Sequence, residues 1–233
     1  MKNYSNFYIF RFAAIMVILV ATVLALIATA LKPRQEKNIE IEKKKNILAS
    51  VNIEVEKGEI EEAYDTYITE TFAVNPQGMK LEGEDAFNMS LEKQLEKPKT
   101  QRKLPVYVCT LENGEKRFIF PVRGKGLWGP LWGFVSLESD FNTIFGVNFA
   151  HAGETPGLGA EINTEPFMKQ FPGKKLFNEK GEFVSVEIIK GGAEPDNVHG
   201  VDGISGGTIT SNGLESTISD SFKNYLNFIK KQK

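Results

Sequence analysis

The sequence predicts an α+β protein in which a single N-terminal transmembrane helix precedes a mixed, mostly antiparallel sheet domain with packed helices. Three observations support this prediction: an uncharged apolar run over residues 12–31, a period-two alternation that begins at Leu104, and an amphipathic helical stripe at the C-terminal end. We expect an N-terminal segment containing the span over residues 1–35, a stalk helix with the first part of the soluble domain over 36–100, and the main domain over 101–233.

The apolar run FAAIMVILVATVLALIATAL, residues 12–31, contains no charged side chain. A helix of about 20 residues, at about 1.5 Å each, is just long enough to cross a hydrocarbon core of about 30 Å. A cleaved signal peptide is the alternative, with Lys2 and Arg11 as its basic region and Ala28–Ala30 as its cleavage site. Because the run exceeds the usual apolar region of about 7–15 residues, we favour an anchor retained in the lipid bilayer.

The charge lies almost entirely after the span. All 30 acidic residues are found there, with all but two of the 28 Lys and Arg. This acidic excess argues against a nucleic-acid partner, because neutralising phosphates requires a basic face. Lys32, Arg34 and Lys43–Lys45 follow the span closely, so a positive-inside count would leave the domain in the cytoplasm. Large domains cross membranes regardless of charge, so the pattern leaves the side of the membrane open.

Helical patterns occupy the region between the span and the alternating segment. A charged helix is expected to continue from the membrane over residues 36–50, followed by a helix over 58–72. A short helix over 90–97 should be stopped by Pro98.

Short alternating or apolar runs predict the strands of the sheet, and Asn113-Gly114 predicts a tight hairpin turn between the first two. Cys109, the single cysteine, excludes an intrachain disulfide and a cysteine-based metal cluster. We expect it to be a buried small side chain on a strand, with an exposed redox thiol as the alternative. The predicted strands cover residues 104–110, 116–120, 131–137, 142–150 and 183–189, and a short helix covers 165–171.

The final helix shows the strongest pattern of the chain. Apolar residues recur at helical spacing from Leu214 to Ile229 and form one stripe. Asn212 and Glu215 resemble a capping pair at its start, and the last lysines suit its negative end.

The segment DGISGGTITS, residues 202–211, combines hydroxyl side chains and glycines just before this helix. Glycines let backbone N–H groups approach an anion closely, and the helix start offers unpaired donors to the same anion. The segment therefore predicts a phosphate cradle in which Thr208 is a candidate covalent anchor.

The same segment satisfies the G-x-S-x-G pattern of serine hydrolases. Both histidines, His151 and His199, precede Ser205, whereas α/β-hydrolases place the histidine after the serine. The trypsin-like order would allow His151, but Ile204 stands where that family has an acid. We therefore favour an anion site.

Two further segments can face a ligand. The loop HAGETPGLG, residues 151–159, offers backbone N–H donors to an anion or a ring edge, with an ordinary connector as the alternative. His151 and Glu154 are too few ligands for a metal site. The segment GLWGPLWGF, residues 126–134, holds both tryptophans, which form either a flat wall beside a planar ligand or a core pair closing the sheet.

Taken together and in this order, GLWGPLWGF, HAGETPGLG and DGISGGTITS after one N-terminal span resemble the C subunits of Na⁺-translocating NADH:quinone oxidoreductases, the NqrC family. The wider group is the FMN-binding domain family, shared with the G subunit of the Rnf electron-transport complex. The resemblance covers nearly the whole chain, and the Leu-Trp-Gly segment favours the quinone-reductase family over the Rnf one.

The resemblance implies an FMN-binding domain over residues 101–233, with FMN joined through its phosphate to Thr208. The family motif usually ends Ser-Gly-Ala-Thr, and here Gly207 replaces the alanine. Asp202 matches the acid that the flavin transferase recognises. The resemblance and the loop chemistry imply flavin contacts from Trp128, Glu154, Thr155, Gly157, Leu158, Gly159, Ser205, Gly206, Gly207 and Thr210.

The implied function is electron transfer within a six-subunit membrane complex that oxidises NADH with ubiquinone and exports Na⁺. The implied location is the bacterial inner membrane, with the domain on the periplasmic face, and no catalytic residue or metal is expected on this chain. Two alternatives stay open: an Rnf-type G subunit with covalent FMN, and a membrane-anchored structural module without flavin.

Overall fold

The first element of the computed structural model is a long helix, α1, which runs continuously over Asn6–Ala49. The structure describes residues 5–233, so Lys2 lies outside the described residues. Within them, α1 is the one helix long and apolar enough to cross a membrane. The prediction of a single apolar helix that continues into a charged stalk is confirmed.

The chain divides into two compact units between Lys43 and Lys44. The second unit begins with the last turns of α1, where Ile47 and Leu48 are fully buried. Ser136 donates a hydrogen bond to the backbone oxygen of Ser50 at 2.5 Å. These contacts attach the end of the helix to the sheet of the same unit.

A six-stranded antiparallel sheet forms the centre of this unit, in the spatial order β2-β1-β3-β4-β5-β6. The predicted hairpin at Asn113-Gly114 joins the third and fourth strands, and Gly114 has the positive φ of 81° that such a turn requires. The strands are β1 (Ile68–Val74), β2 (Lys80–Leu81), β3 (Leu104–Thr110), β4 (Lys116–Lys125), β5 (Pro130–Leu137) and β6 (Ile144–His151).

Helices and a small second sheet complete the unit. A two-stranded parallel sheet pairs β7 (Glu187–Ile189) with β8 (Gly200–Asp202). Short 3-10 helices cover Lys99–Gln101 and Gly159–Asn163. The α-helices are α2 (Ile60–Tyr67), α3 (Leu91–Leu95), α4 (Glu165–Met168) and α5 (Thr208–Gln232).

The main core lies between α5 and one face of the large sheet. Phe120 of β4 packs its ring against Phe222 and Tyr225 of α5, with centroid distances of 5.4 and 5.0 Å. The apolar stripe predicted for the last helix is therefore its buried face. The α+β prediction is confirmed, and Cys109 is buried on β3 as expected.

Three local predictions are corrected. The helix expected over 58–72 ends at Tyr67, because the β-branched residues that follow pair as β1 with β3. The strand expected over 183–189 is reduced to Glu187–Ile189, because Ser185 has a positive φ of 66° that interrupts extended pairing. The last helix begins four residues before Asn212, and Glu215 accepts a hydrogen bond from the backbone N–H of Ile188 instead of capping the helix.

Candidate functional site

The three segments that the sequence analysis singled out meet at the start of α5. They are the β4–β5 turn over residues 126–129, the loop over 152–158 after β6, and the β8–α5 turn over 203–207. Glu154 joins them directly: its Oε1 accepts from the Trp128 backbone N–H at 2.9 Å. Its Oε2 accepts from Thr210 Oγ1 at 2.5 Å.

Glu154 is only 4% exposed, and two glycines make room for its carboxylate. A Cβ on Gly126 would lie 2.5 Å from Oε1, and one on Gly159 would lie 2.7 Å from Oε2. Real Cβ atoms do not approach so closely, so both positions require glycine as long as the carboxylate stays in place. The loop is a built part of the site, which the connector interpretation does not explain.

The β8–α5 turn is held by backbone hydrogen bonds and by one buried serine. Gly203 N–H donates to Ile189 O at 2.8 Å, and Gly207 N–H donates to Ile204 O at 3.0 Å. Ser211 Oγ accepts from Ile204 N–H at 3.2 Å. Gly206 has a φ of +73°, in the left-handed region that favours glycine. These contacts set the direction in which the chain enters α5.

The hydroxyl groups of this segment differ sharply in their surroundings. Thr208 is the first residue of α5, is partly exposed, and its hydroxyl has no hydrogen-bond partner among residues 5–233. Thr210 is 2% exposed and donates to Glu154. Ser211 is equally buried, whereas Ser205 is exposed. Thr208 and Ser205 are therefore the accessible hydroxyls here.

The start of α5 is a suitable place for a phosphate. The first N–H groups of a helix have no acceptor one turn earlier, so they are free to bind an anion. The helix is 25 residues long, so its dipole adds positive potential at this end. A phosphate bound near Thr208 would meet both effects.

Exposed apolar side chains surround Thr208. Trp128 is 68% exposed and Ile209, next to Thr208, is 61% exposed. Leu127 and Leu158 are also more than two fifths exposed, and Leu158 lies against the backbone of Gly206. Large apolar side chains this exposed are suited to contact a planar ligand or a partner.

The remaining predicted site residues lie at the edge of this arrangement. Asp202 is exposed at the end of β8, and its Oδ1 accepts from Ala193 N–H at 2.7 Å. Thr155 is exposed, and its backbone oxygen accepts from the N–H groups of Leu158 and Ala160 at 3.1 Å. Gly157 has a φ of +75° and donates its N–H to Glu161 Oε1 at 2.8 Å.

His151 has a structural position in the loop. Its Nδ1 accepts from the Glu154 backbone N–H at 3.2 Å, so this nitrogen is already occupied. Among the described residues, no three His, Cys, Asp or Glu side chains are grouped as metal ligands.

Four residues important to the site were not identified from the sequence: Gly126, Leu127, Ile209 and Ser211. Gly126 and Ser211 act through contacts with residues 28 and seven positions away along the chain, Glu154 and Ile204. No local pattern marks such contacts. Leu127 and Ile209 resemble core residues by composition, and their exposure is the signal that identifies them.

Comparisons with known proteins agree on one family. A family model described as an FMN-binding domain matches residues 126–223. The C subunit of the Na(+)-translocating NADH-quinone reductase of Vibrio parahaemolyticus is 33% identical over 210 residues, covering 82% of this chain and 80% of that protein. The Haemophilus ducreyi protein of the same name is 34% identical over 212 residues, covering 84% and 81%. A crystal structure of the same protein from Parabacteroides distasonis, 43% identical, superposes with a TM-score of 0.80 over 87% of this chain and 98% of that one.

Proposed function

The chain belongs to the NqrC family, the C subunits of Na(+)-translocating NADH-quinone reductases, and on that premise we propose that its FMN is attached through its phosphate to Thr208. It is an electron-transfer subunit of this membrane oxidoreductase, and it binds FMN. Its partners are the other subunits of the complex, which we infer to number six in total.

The residues present fit an FMN group. Gly206 and Gly207 form a turn that a Cβ would obstruct, since one on Gly206 would lie 2.6 Å from Leu158 Cδ2 and one on Gly207 would lie 2.9 Å from Ile204 Cγ2. The start of α5 supplies N–H donors for the phosphate. Trp128 and Leu158 supply apolar surface on which a flat ring can lie.

The contrast between Thr208 and Thr210 carries the assignment of the attachment point. Attachment replaces the hydroxyl hydrogen of the acceptor with the flavin phosphate, so the product is heavier by FMN less one water. Thr208 has a hydroxyl without a partner among the described residues, whereas that of Thr210 is buried against Glu154. Modifying Thr210 would break this hydrogen bond and require space that the site does not have.

Bound FMN supplies the capacity to accept and pass on electrons. The protein residues hold the group and shape its surroundings. The N–H groups at the start of α5 bind the phosphate, Gly206 and Gly207 let the backbone approach it, and Trp128 and Leu158 limit the access of water to the ring. The partly exposed position of the site leaves an edge open to another subunit.

Intact mass and in-gel flavin fluorescence, measured after co-expression with a flavin transferase, test the attachment. We expect the wild-type chain to carry one FMN less one water and its denatured band to fluoresce. Thr208→Ala should lose both signals. Ser205→Ala, which removes the neighbouring exposed hydroxyl, should keep both, and Thr210→Val should remain covalently labelled.

Other outcomes assign the site differently. A fluorescent Thr208→Ala with a non-fluorescent Ser205→Ala would move the attachment to Ser205. A wild-type chain without added mass would favour the flavin-free structural module. Asp202→Asn tests the transferase, because loss of labelling with a folded protein would support recognition of this exposed carboxylate.

A further inference from the structure

The carboxylate of Glu154 connects parts of the site that are distant in sequence. Its two oxygens accept from Trp128 N–H in the β4–β5 turn and from the Thr210 hydroxyl in the first turn of α5. The side chain is almost fully buried, so its contacts are with the protein. Trp128 contributes the apolar wall of the proposed flavin site, and Thr210 is two residues from the proposed anchor.

We propose that Glu154 is a positioning residue that fixes the Trp128 turn against the first turn of α5, and so sets the spacing between the wall and the anchor of the flavin site. It acts through Trp128 and Thr210 and does not touch the flavin. The inference rests on the proposed function for its consequence, but the coupling of turn and helix belongs to the protein alone.

The packing around the carboxylate supports this role. Gly126 and Gly159 approach one oxygen each so closely that neither position has room for a methyl group. Each oxygen is therefore confined between a glycine and a hydrogen-bond donor. A side chain held in this way transmits the position of one segment to the other, because movement of either segment would break a buried hydrogen bond.

Glutamine provides a matched substitution at this position. Its amide oxygen can accept from Trp128 N–H, and its NH₂ group can donate to Thr210, because a hydroxyl both donates and accepts. Glu154→Gln therefore keeps both links and removes the charge. Glu154→Ala removes both links, and Thr210→Val removes only the link to the helix.

Hydrogen exchange of the flavin-free protein, resolved to the Trp128 amide and to residues 208–210, tests the coupling. Glu154→Ala should speed exchange of the Trp128 amide about tenfold or more, because a buried hydrogen bond is lost. Glu154→Gln should stay within about threefold of the wild type, and Thr210→Val should speed exchange in α5 more than at Trp128. Tyr225→Phe is the control, since it removes a buried hydrogen bond of 3.0 Å to Pro105 O far from these contacts.

Three results would overturn the proposal: wild-type exchange at Trp128 in Glu154→Ala, equal acceleration there in Tyr225→Phe, or no rescue by glutamine. If Glu154→Ala does not fold, Thr210→Val decides by itself, because unchanged exchange in the first turn of α5 would exclude the coupling. On labelled protein, visible circular dichroism of the flavin should change in Glu154→Ala and return in Glu154→Gln. A chain that lacks bound flavin but shows the expected exchange pattern would refute the attachment and leave the coupling intact.

Discussion

Thr208 and Thr210 are two positions apart and have opposite roles. Successive residues of an α-helix turn by about 100°, so residues i and i+2 point to nearly opposite sides. At the start of α5 this rotation leaves Thr208 partly exposed and buries Thr210 against Glu154. The choice between two chemically identical hydroxyls therefore follows from the residue at which the helix begins.

Gly206 is the residue whose backbone makes the turn before Thr208 possible. Its φ is +73°, and an added Cβ would lie 2.6 Å from Leu158 Cδ2. We expect Gly206→Ala to lower the free energy of unfolding by about 1–2 kcal/mol through the left-handed conformation alone, and to reduce labelling of Thr208.

Gly153→Ala is the matched control, because this glycine lies in the adjacent loop without positive φ and with no atom within 4 Å of an added Cβ. Thermal unfolding and in-gel flavin fluorescence measure both effects. Equal values for the two variants would show that the turn tolerates a side chain at position 206.

At the scale of the element, α5 has to approach β4 closely enough to bring Thr208 to the Trp128 turn. Gly213 makes this approach, since a Cβ there would lie 2.6 Å from the backbone oxygen of Lys125 and 3.2 Å from Gly126 Cα. Glycine inside a helix is intrinsically unfavourable, so its presence here is explained by packing.

Gly213→Ala sets two effects against each other. Helix propensity favours alanine by about 1 kcal/mol, whereas forcing a methyl group into a filled space costs about 1–3 kcal/mol. Because the obstructing atoms are backbone atoms, we expect the packing cost to prevail and the variant to be less stable. Urea unfolding should show this loss, while Asn212→Ala, an exposed neighbour on the same helix, should stay within about 0.5 kcal/mol of the wild type. A stabilised Gly213→Ala would mean that the contact between α5 and β4 is looser than described.

At the scale of the whole molecule, α1 suits a membrane anchor and a compact unit carries the flavin site. Anchoring keeps an electron carrier at the membrane where the other subunits of the reductase are found. We propose that the flavin unit lies on the periplasmic face, as the family resemblance implies, although the basic residues after the span do not favour that side.

Cysteine labelling in intact cells tests this orientation, because the only native thiol is inert. Cys109 is fully buried, and burial raises the pKa of its thiol to about 11, so it stays protonated at neutral pH. A membrane-impermeant maleimide should therefore label Glu179→Cys, in an exposed turn, without disruption of the cytoplasmic membrane. Ser5→Cys, at the other end of the span, should be labelled only after disruption, and the reverse pattern would place the flavin unit in the cytoplasm.

Local patterns of the sequence determined much of the fold. The apolar run predicts the span, the Asn113-Gly114 turn predicts the hairpin of β3 and β4, and the final apolar stripe predicts α5. These features depend on neighbouring residues, so periodicity and turn chemistry suffice. The three motifs also pointed to the FMN-binding family, since they record a chemistry that requires particular residues.

Only the tertiary structure decided how these motifs form one site. The start of α5 at Thr208 depends on the turn that Ser211 and Ile189 stabilise, which separates the accessible hydroxyl from the buried one. The role of Glu154 depends on Gly126, Trp128 and Thr210, residues brought to it by the packing of α5 on the sheet. Contacts between residues so far apart in the chain leave no periodic trace, because each is created by the fold and not by its sequence neighbours.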